Sequence, residues 1–367
     1  MRKTAILIIN SLQNGGAERV VVNQAIELNR QGIHVVVILV HNLQYYTLPS
    51  NIEVITLSCF MRGIKKALNI PLLVKKLDSV IEQIMLTDNI VLMTSNLPYS
   101  HWICRFSKYR EKILFVMHNP QFHFPHSQSS LFKSKIRYLY QQERLIAVSE
   151  GVRDELLAVY KLRPERILTI YNPINFDEIE ELKSKKIADI PREKFLLFVG
   201  RLTPPKNIPR LIQAFFLSDL YKDYLLVILG TGEEKDSLVE MSRKLGIRDR
   251  IVFYGWSDNV YAWMKNAELF VCSSDYESFG MAIAEALCCG CKVVSTDCDY
   301  GPREILRGKL STYLAKLDAN DLSEKIVLAL KQYPTIDSSL LTPFKVETVV
   351  SKYLQAYKGN DFNNNQV

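Results

Sequence analysis

The stretch Ala267-Glu268-Leu269-Phe270-Val271-Cys272-Ser273-Ser274-Asp275-Tyr276-Glu277-Ser278-Phe279-Gly280-Met281-Ala282-Ile283-Ala284-Glu285 reads as a strand, a loop and a helix in immediate succession. Residues 267–272 make the short apolar run of a buried parallel strand, and residues 281–287 continue as a buried helix. At such a corner the free N–H groups of the first helical turn and the positive end of the helix dipole bind phosphate. Gly280 lets a ligand approach the backbone. Glu285 lies in the helix about 7–8 Å along its axis, at 1.5 Å per residue, roughly the distance from a nucleotide's phosphates to its ribose. One helix therefore suits both parts of a nucleotide diphosphate. The bland alternative is that Glu277 supports the helix start electrostatically and Glu285 is solvated. Among Ala282, Ile283, Ala284, Ala286 and Leu287, however, a carboxylate is partly enclosed and needs a hydrogen-bonding partner.

Outward from this corner, the second half of the chain has strand patterns over 195–199, 224–229, 251–254, 269–271 and 292–296, with helical patterns over 208–217 and 234–245. The first half alternates in the same way. Strands are expected over 4–9, 35–40, 52–57, 90–93, 113–117 and 145–148, and a helix over 17–30 with Ala17, Val21, Ala25 and Leu28 on one face. Strands separated by helices specify parallel, doubly wound sheets, so the expected class is α/β with two Rossmann-like domains. The expected limits are 1–176 for the first domain, 177–194 for a charged linker containing Pro191, and 195–338 for the second. A C-terminal helix over 339–358, apolar at Leu341, Phe344, Val346, Val349, Val350 and Tyr353, is expected to cross back, with a disordered tail over 359–367.

Ligands of such sheets sit at the carboxyl ends of the strands. The strand at 195–199 runs into Gly200-Arg201-Leu202-Thr203-Pro204-Pro205-Lys206-Asn207, placing Arg201 and Lys206 in one loop, and two cations there suit a pyrophosphate. Gly230-Thr231-Gly232 makes a close-approach turn on the same edge, but no third glycine completes the dinucleotide fingerprint, which disfavours NAD. In the first half, Gly15-Gly16 opens the first helix as a turn that approaches phosphate or sugar, and His118 ends the strand at 113–117. Each is also an ordinary structural feature. His123 and His126 lack a helical ligand pattern, and 119–130 reads as an irregular loop able to cover an acceptor. Asp297-Cys298-Asp299 has D-x-D spacing, but Arg201 and Lys206 already supply charge for phosphate, so no metal is expected there. Cys288 and Cys291 have neither a second pair nor a nearby histidine and are read as structural.

The 367 residues carry a net charge of +7, unevenly placed. Residues 1–176 hold 21 Lys+Arg against 12 Asp+Glu, a balance of +9; the rest hold 25 against 27, a balance of −2. Over 61–76, Arg62, Lys65, Lys66, Lys75 and Lys76 alternate with apolar residues and no acid intervenes, which suits an anionic membrane surface or, alternatively, a solvated helix face. No nucleic-acid motif accompanies the charge, so nucleic acid is not an expected partner. No apolar run approaches the roughly 20 residues that span a bilayer, and the apolar stretch ending at Asn10 is too short for a secretory signal. Seven cysteines without a framework fit reduced thiols. A cytoplasmic protein is expected.

Gly15-Gly16-Ala17-Glu18-Arg19, His118, Val148-Ser149-Glu150, Tyr171-Asn172-Pro173, Gly200-Arg201 with Lys206-Asn207, Gly230-Thr231-Gly232, Glu277 with Phe279-Gly280 and Glu285, and Gly301-Pro302-Arg303-Glu304 follow in this order. Together they resemble the retaining nucleotide-sugar glycosyltransferases of family 4 with the GT-B fold, nearly end to end. The resemblance implies two Rossmann-like domains facing each other across a cleft, the donor held mainly by the second and the acceptor mainly by the first. It implies that Arg201 and Lys206 neutralise the donor pyrophosphate, that backbone amides at Phe279 and Gly280 meet phosphates and sugar, that Glu277 holds sugar hydroxyls and that Glu285 receives the ribose. His118 would contact the transferred sugar, and Gly15-Gly16 would approach the phosphates. On this basis His118, Arg201, Lys206 and Glu277 are the expected catalytic group, with Gly15, Gly16, Gly230, Phe279, Gly280 and Glu285 completing the donor site. Family members need no metal, and no cofactor is expected, the nucleotide sugar being a substrate. Ser278 departs from a common glycine and Lys292 from a common proline.

The expected activity is transfer of a hexosyl or related sugar from a nucleotide diphosphate donor to a glycan or lipid-linked glycan with retention. The motifs at 15–19 and 301–304 resemble those of bacterial enzymes that build lipopolysaccharide, capsule or other surface glycans, which places the protein peripherally on the inner face of the cytoplasmic membrane. A nucleotide-sugar epimerase on the same architecture would leave the basic first domain unexplained. A non-catalytic glycan- or nucleotide-binding subunit would be expected to lack Arg201, Lys206 or Glu285, and all are present.

Overall fold

The computed structural model describes residues 1–13, 15–58, 69–119 and 129–359. They form two units, one of residues 1–173 with those from 344 onward, the other of residues 174–343. In the first, β1 (Arg2–Ile9), α1 (Gly16–Arg30), β2 (His34–His41), β3 (Glu53–Ser58), α2 (Ile70–Thr87), β4 (Asp88–Asn96), α3 (Pro98–Arg105), β5 (Leu114–Met117), α4 (Ser130–Tyr140), β6 (Arg144–Ala147), α5 (Glu150–Ala158) and β7 (Ile167–Thr169) follow one another. The strands pair in parallel in the order β3-β2-β1-β4-β5-β6-β7. Consecutive residues Ala5, Ile6, Leu7, Ile8 and Ile9 are all fully buried, as a strand covered on both faces requires. The order reverses at the β1–β4 pair, so the loops after these strands diverge there.

The second unit repeats the plan with α6 (Phe176–Lys183), β8 (Phe195–Val199), α7 (Ile208–Leu217), β9 (Leu225–Leu229), α8 (Lys235–Lys244), β10 (Ile251–Gly255), α9 (Val260–Asn266), β11 (Leu269–Cys272), β12 (Tyr276–Glu277), α10 (Met281–Cys288), β13 (Val293–Thr296), β14 (Asp299–Tyr300), α11 (Pro302–Ile305), β15 (Leu314–Ala315) and α12 (Ala319–Lys331). Its main sheet is also parallel, in the order β10-β9-β8-β11-β13-β15, and reverses between β8 and β11. Two Rossmann-like α/β units are thus present, as expected. The strands absent from the sequence expectation, β7, β12, β14 and β15, are two or three residues long, too short to show a period.

The junction differs from the expected linker. Residues 176–183 are a helix of the second unit: the Asn175 side chain accepts from the Glu178 amide at 3.1 Å, Ile179 is buried, and the Asn259 amide on the cap of α9 donates to the Leu182 carbonyl at 2.8 Å. Its acids mask it as a linker because Asp177 and Glu178 occupy the first turn, where they suit the helix dipole. At the other end the expected helix starts late, as α13 (Val346–Tyr357), because Pro343 lies within a 3₁₀ segment, Ser338–Phe344. α13 belongs to the first unit and packs on α1 and β4, with Arg30 bonded to Glu347 at 2.8 Å. α1 buries Val20, Asn23 and Glu27 as well as the expected Val21, Ala25 and Leu28, while the expected Ala17 is only half-buried; Asn23 donates to the Pro173 carbonyl at 3.1 Å. Arg62, Lys65, Lys66, His123, His126 and the tail from residue 360 lie outside the described residues.

Candidate active site

The loops after β8 and β11 are tied together before any ligand is considered. Asp275 accepts from Arg210 Nη2 at 2.7 Å and from Asn207 Nδ2 at 3.0 Å, and its amide donates to the Pro205 carbonyl at 2.8 Å. Arg210 Nη1 also donates to the Ser273 carbonyl, and Ser273 Oγ donates to the Lys206 carbonyl, at 2.9 and 2.8 Å. Asn207 itself, in a left-handed conformation, caps α7. These bonds fix where Lys206 and Glu277 stand.

Lys206 Nζ lies 2.5 Å from Glu277 Oε1, with side chains 24% and 16% exposed. Burial disfavours the ammonium, but the Glu277 carboxylate outweighs it and holds Lys206 above its ordinary range. Ser274 Oγ donates to the same carboxylate oxygen at 2.8 Å, and the Cys272 thiol, pushed up by burial, lies 3.8 Å from it. Oε2 of Glu277 has no partner among the described residues, so it is open to a hydroxyl. Glu277 is not at the helix start: it pairs with Tyr300 in the β12–β14 ribbon, and Gly280 is the N-cap of α10. Gly280 takes φ +95°, a value that favours glycine, and no side chain caps the helix, leaving its leading amides for an anion. Farther along the helix, half-buried Glu285 accepts from the Tyr261 hydroxyl at 3.4 Å, the kind of partner its surroundings call for.

Arg201 stands exposed at the strand end near Lys206, with no ion-pair partner among the described residues. Gly230 holds φ +142°, and a Cβ there would overlap the Gly200 carbonyl, so the loops after β8 and β9 touch backbone to backbone. In the D-x-D segment, Asp297 accepts from Arg303 Nε at 3.1 Å. No cluster of three metal-ligating side chains occurs among the described residues. Cys291 is buried, and its thiol is pushed up to about 12 by that burial.

In the first unit, Gly15 is the N-cap of α1. His118 follows β5 and is 7% exposed, with Nε2 2.8 Å from Asn96 Oδ1. Burial, helped by nearby His101, pulls its pKa down to about 3, so the ring is neutral. Of the basic patch, Lys75 and Lys76 are exposed on α2, and Lys76 Nζ donates to the Leu57 carbonyl at 3.1 Å.

Two family models divide the chain much as the structure does: Glycosyltransferase Family 4 matches residues 14–178, and Glycosyl transferases group 1 matches residues 180–338. The chain belongs to glycosyltransferase family 4. Among relatives of this glycosyltransferase, the N-acetylgalactosamine-N,N'-diacetylbacillosaminyl-diphospho-undecaprenol 4-alpha-N-acetylgalactosaminyltransferase of Campylobacter jejuni is 29% identical over 312 residues, 83% of each chain. A lipopolysaccharide 1,6-galactosyltransferase of Salmonella typhimurium is 28% identical over 174 residues, 45% of this chain and 46% of that one. The structure of Anabaena HepE in complex with UDP and glucose superposes with a TM-score of 0.77 at 19% identity, covering 96% of this chain and 99% of that one. The fold of the glycosyltransferase is therefore GT-B.

Lys206 and Glu277, 71 residues apart, are thus brought into contact, with Arg201 beside them. Glu285 lies on the helix that Gly280 caps. Ser274, Tyr261 and Asn96 escaped the sequence reading. Asn96 had a signal: it is a polar residue closing an apolar strand at the ligand edge. Tyr261 had none, since its meeting with Glu285 depends on how α9 packs on α10.

Proposed function

We propose that this glycosyltransferase moves a sugar from a nucleotide diphosphate donor to a glycan or lipid-linked glycan, with retention of configuration, in surface polysaccharide synthesis. The observation that carries the donor assignment is the Lys206–Glu277 contact, with Arg201 beside it, at the uncapped start of α10. Breaking the glycosidic bond puts negative charge on a diphosphate, and prearranged cations and amides stabilise that charge more in the transition state than in the ground state. Arg201 and Lys206 take the diphosphate, the open Oε2 of Glu277 takes a sugar hydroxyl, and Glu285 takes the ribose. Glu277 and Glu285 are holders of hydroxyls and not an acid–base pair. No metal has a step in this scheme. A lipid-linked acceptor is supported by the diphospho-undecaprenol substrate of the Campylobacter relative and by the +9 balance of residues 1–176. Among the described residues no helix is long and apolar enough to cross a membrane, so contact with the inner face of the cytoplasmic membrane would be peripheral.

The test is a thermal-shift screen of nucleotide diphosphates and their sugars. A ligand at 100 times its dissociation constant stabilises by about 2.7 kcal/mol. The shift should shrink in Glu285→Ala. An unchanged shift in that variant would remove the ribose assignment, and no shift with any nucleotide would remove the donor class.

A further inference from the structure

Asn96 closes β4, flanked by Ile9 of β1 and Val116 of β5. Its amide nitrogen lies 3.2 Å from the Ile8 carbonyl and 3.1 Å from Thr94 Oγ1, and its oxygen lies 2.8 Å from His118 Nε2. A backbone carbonyl can only accept, so the group facing Ile8 must be the donating NH₂ and the amide cannot be turned over. Its oxygen can only accept. Nε2 of His118 must therefore carry the proton, and in a neutral ring this leaves Nδ1 as an acceptor.

Buried His101 shows what a closed arrangement looks like. Its Nε2 donates to the Ser95 carbonyl at 3.0 Å, and its Nδ1 accepts from the Tyr140 hydroxyl at 2.8 Å, so both nitrogens are satisfied. Nδ1 of His118 is equally buried, yet it has no partner among the described residues. A buried acceptor without a donor is unfavourable unless a ligand supplies one, and sugar hydroxyls are donors.

We propose that Asn96 is a positioning residue, which by accepting from Nε2 selects the His118 tautomer that presents Nδ1 as an acceptor to a hydroxyl of the transferred sugar. This rests on the sugar-transfer function proposed above and adds to it the residue that sets the polarity of the contact. Asn96 acts through His118 and touches no substrate. His101 and Tyr140 remain satisfied by each other and by Ser95, so they do not compete for Nδ1.

The test begins without substrate. Long-range proton–nitrogen spectra of ¹⁵N-histidine-labelled protein at neutral pH read each ring's tautomer, with His118→Ala assigning the signal. The wild-type ring is expected as the Nε2–H form, and Asn96→Ala should move it toward a mixture. Asn96→Asp restores an acceptor and should keep Nε2 protonated. A wild-type Nδ1–H ring overturns the proposal even if neither variant folds, as does an Asn96→Ala ring that stays wholly Nε2–H. For turnover of a panel of nucleotide diphosphate sugars, Asn96→Ala should lower kcat about tenfold, the worth of one lost hydrogen bond, with donor KM nearly unchanged. Equal kcat in the two proteins also overturns it. Wild-type protein that turns over no donor while showing the expected tautomer shift would count against the proposed function and leave Asn96's control of the ring standing.

Discussion

Replacing Lys206 with methionine separates what this cation does for stability from what it does for the reaction. The substitution keeps most of the side-chain volume and leaves Glu277 facing Ser274 and Cys272 without its counter-charge. An exposed ion pair is worth about 0–1 kcal/mol, and removing one partner of a fully buried pair costs about 3–5 kcal/mol. With side chains 24% and 16% exposed, this pair lies between, at about 2–3 kcal/mol. At about 2–4 °C per kcal/mol for a domain of this size, Tm should fall by about 5–10 °C. Removing the carboxylate charge as well, in Lys206→Met/Glu277→Gln, should recover most of that loss. Catalysis should not recover. Loss of a group that meets developing charge costs about 10²–10³ in kcat, and the double variant still lacks the cation. The assays are thermal unfolding without ligand and steady-state turnover with the donor found in the nucleotide screen. A single variant that raises donor KM while leaving kcat intact would refute the transition-state role and leave only a ground-state contact.

Gly230→Ala sets a Cβ against the Gly200 carbonyl at φ +142°, whereas Gly246→Ala, at φ +69°, has open space around it. Strain of about 1–3 kcal/mol applies to both, so Gly230→Ala should melt clearly lower; equal melting temperatures would contradict the loop contact. Acid should destabilise the first unit through its buried histidines. With pKa values of about 3 for His118 and about 4 for His101, both bind protons more readily when unfolded, so stability is intact above about 6.5 and is lost as pH falls from there toward these values. Each contributes roughly 2 kcal/mol of loss by pH 5, and urea titrations that agree at pH 7 and pH 5 would show the rings are not held neutral. Charge reversal at Lys65, Lys66, Lys75 and Lys76 should release the protein from anionic vesicles in a flotation assay, and undiminished binding would end the case for that patch.

The two sheets were legible because their central strands are uninterrupted apolar runs such as residues 4–9 and 269–272, which only burial on both faces explains. What escaped depended on packing. The helix Phe176–Lys183 reads as a charged linker because it buries only Ile179, and its fold membership comes from the contact with α9. The site was legible in part. Arg201 follows β8, Lys206 sits just before α7 and Glu277 ends β12, and these loop positions together with the resemblance to family 4 single them out. The tautomer of His118 was not legible, because it depends on Asn96, 22 residues away on a neighbouring strand.

The corner at residues 275–285 shows why position along a loop does not by itself assign an acid. Asp275 and Glu277 are two residues apart, and only Glu277 was expected to face the donor. The structure divides them by partner. Asp275 takes Arg210 and Asn207, both from the start of α7, and its amide takes Pro205, so it is spent on joining the two loops. Glu277 takes the flexible end of Lys206 and one hydroxyl on a single oxygen, keeping the other open. A lysine ammonium can turn to a diphosphate when one arrives, because its donors rotate on a long stem. The Arg210 guanidinium, fixed to both Ser273 and Asp275, cannot do so without unfastening the loop. Under the proposed function, the clamp is Asp275 with Arg210, and the pair that yields to substrate is Glu277 with Lys206.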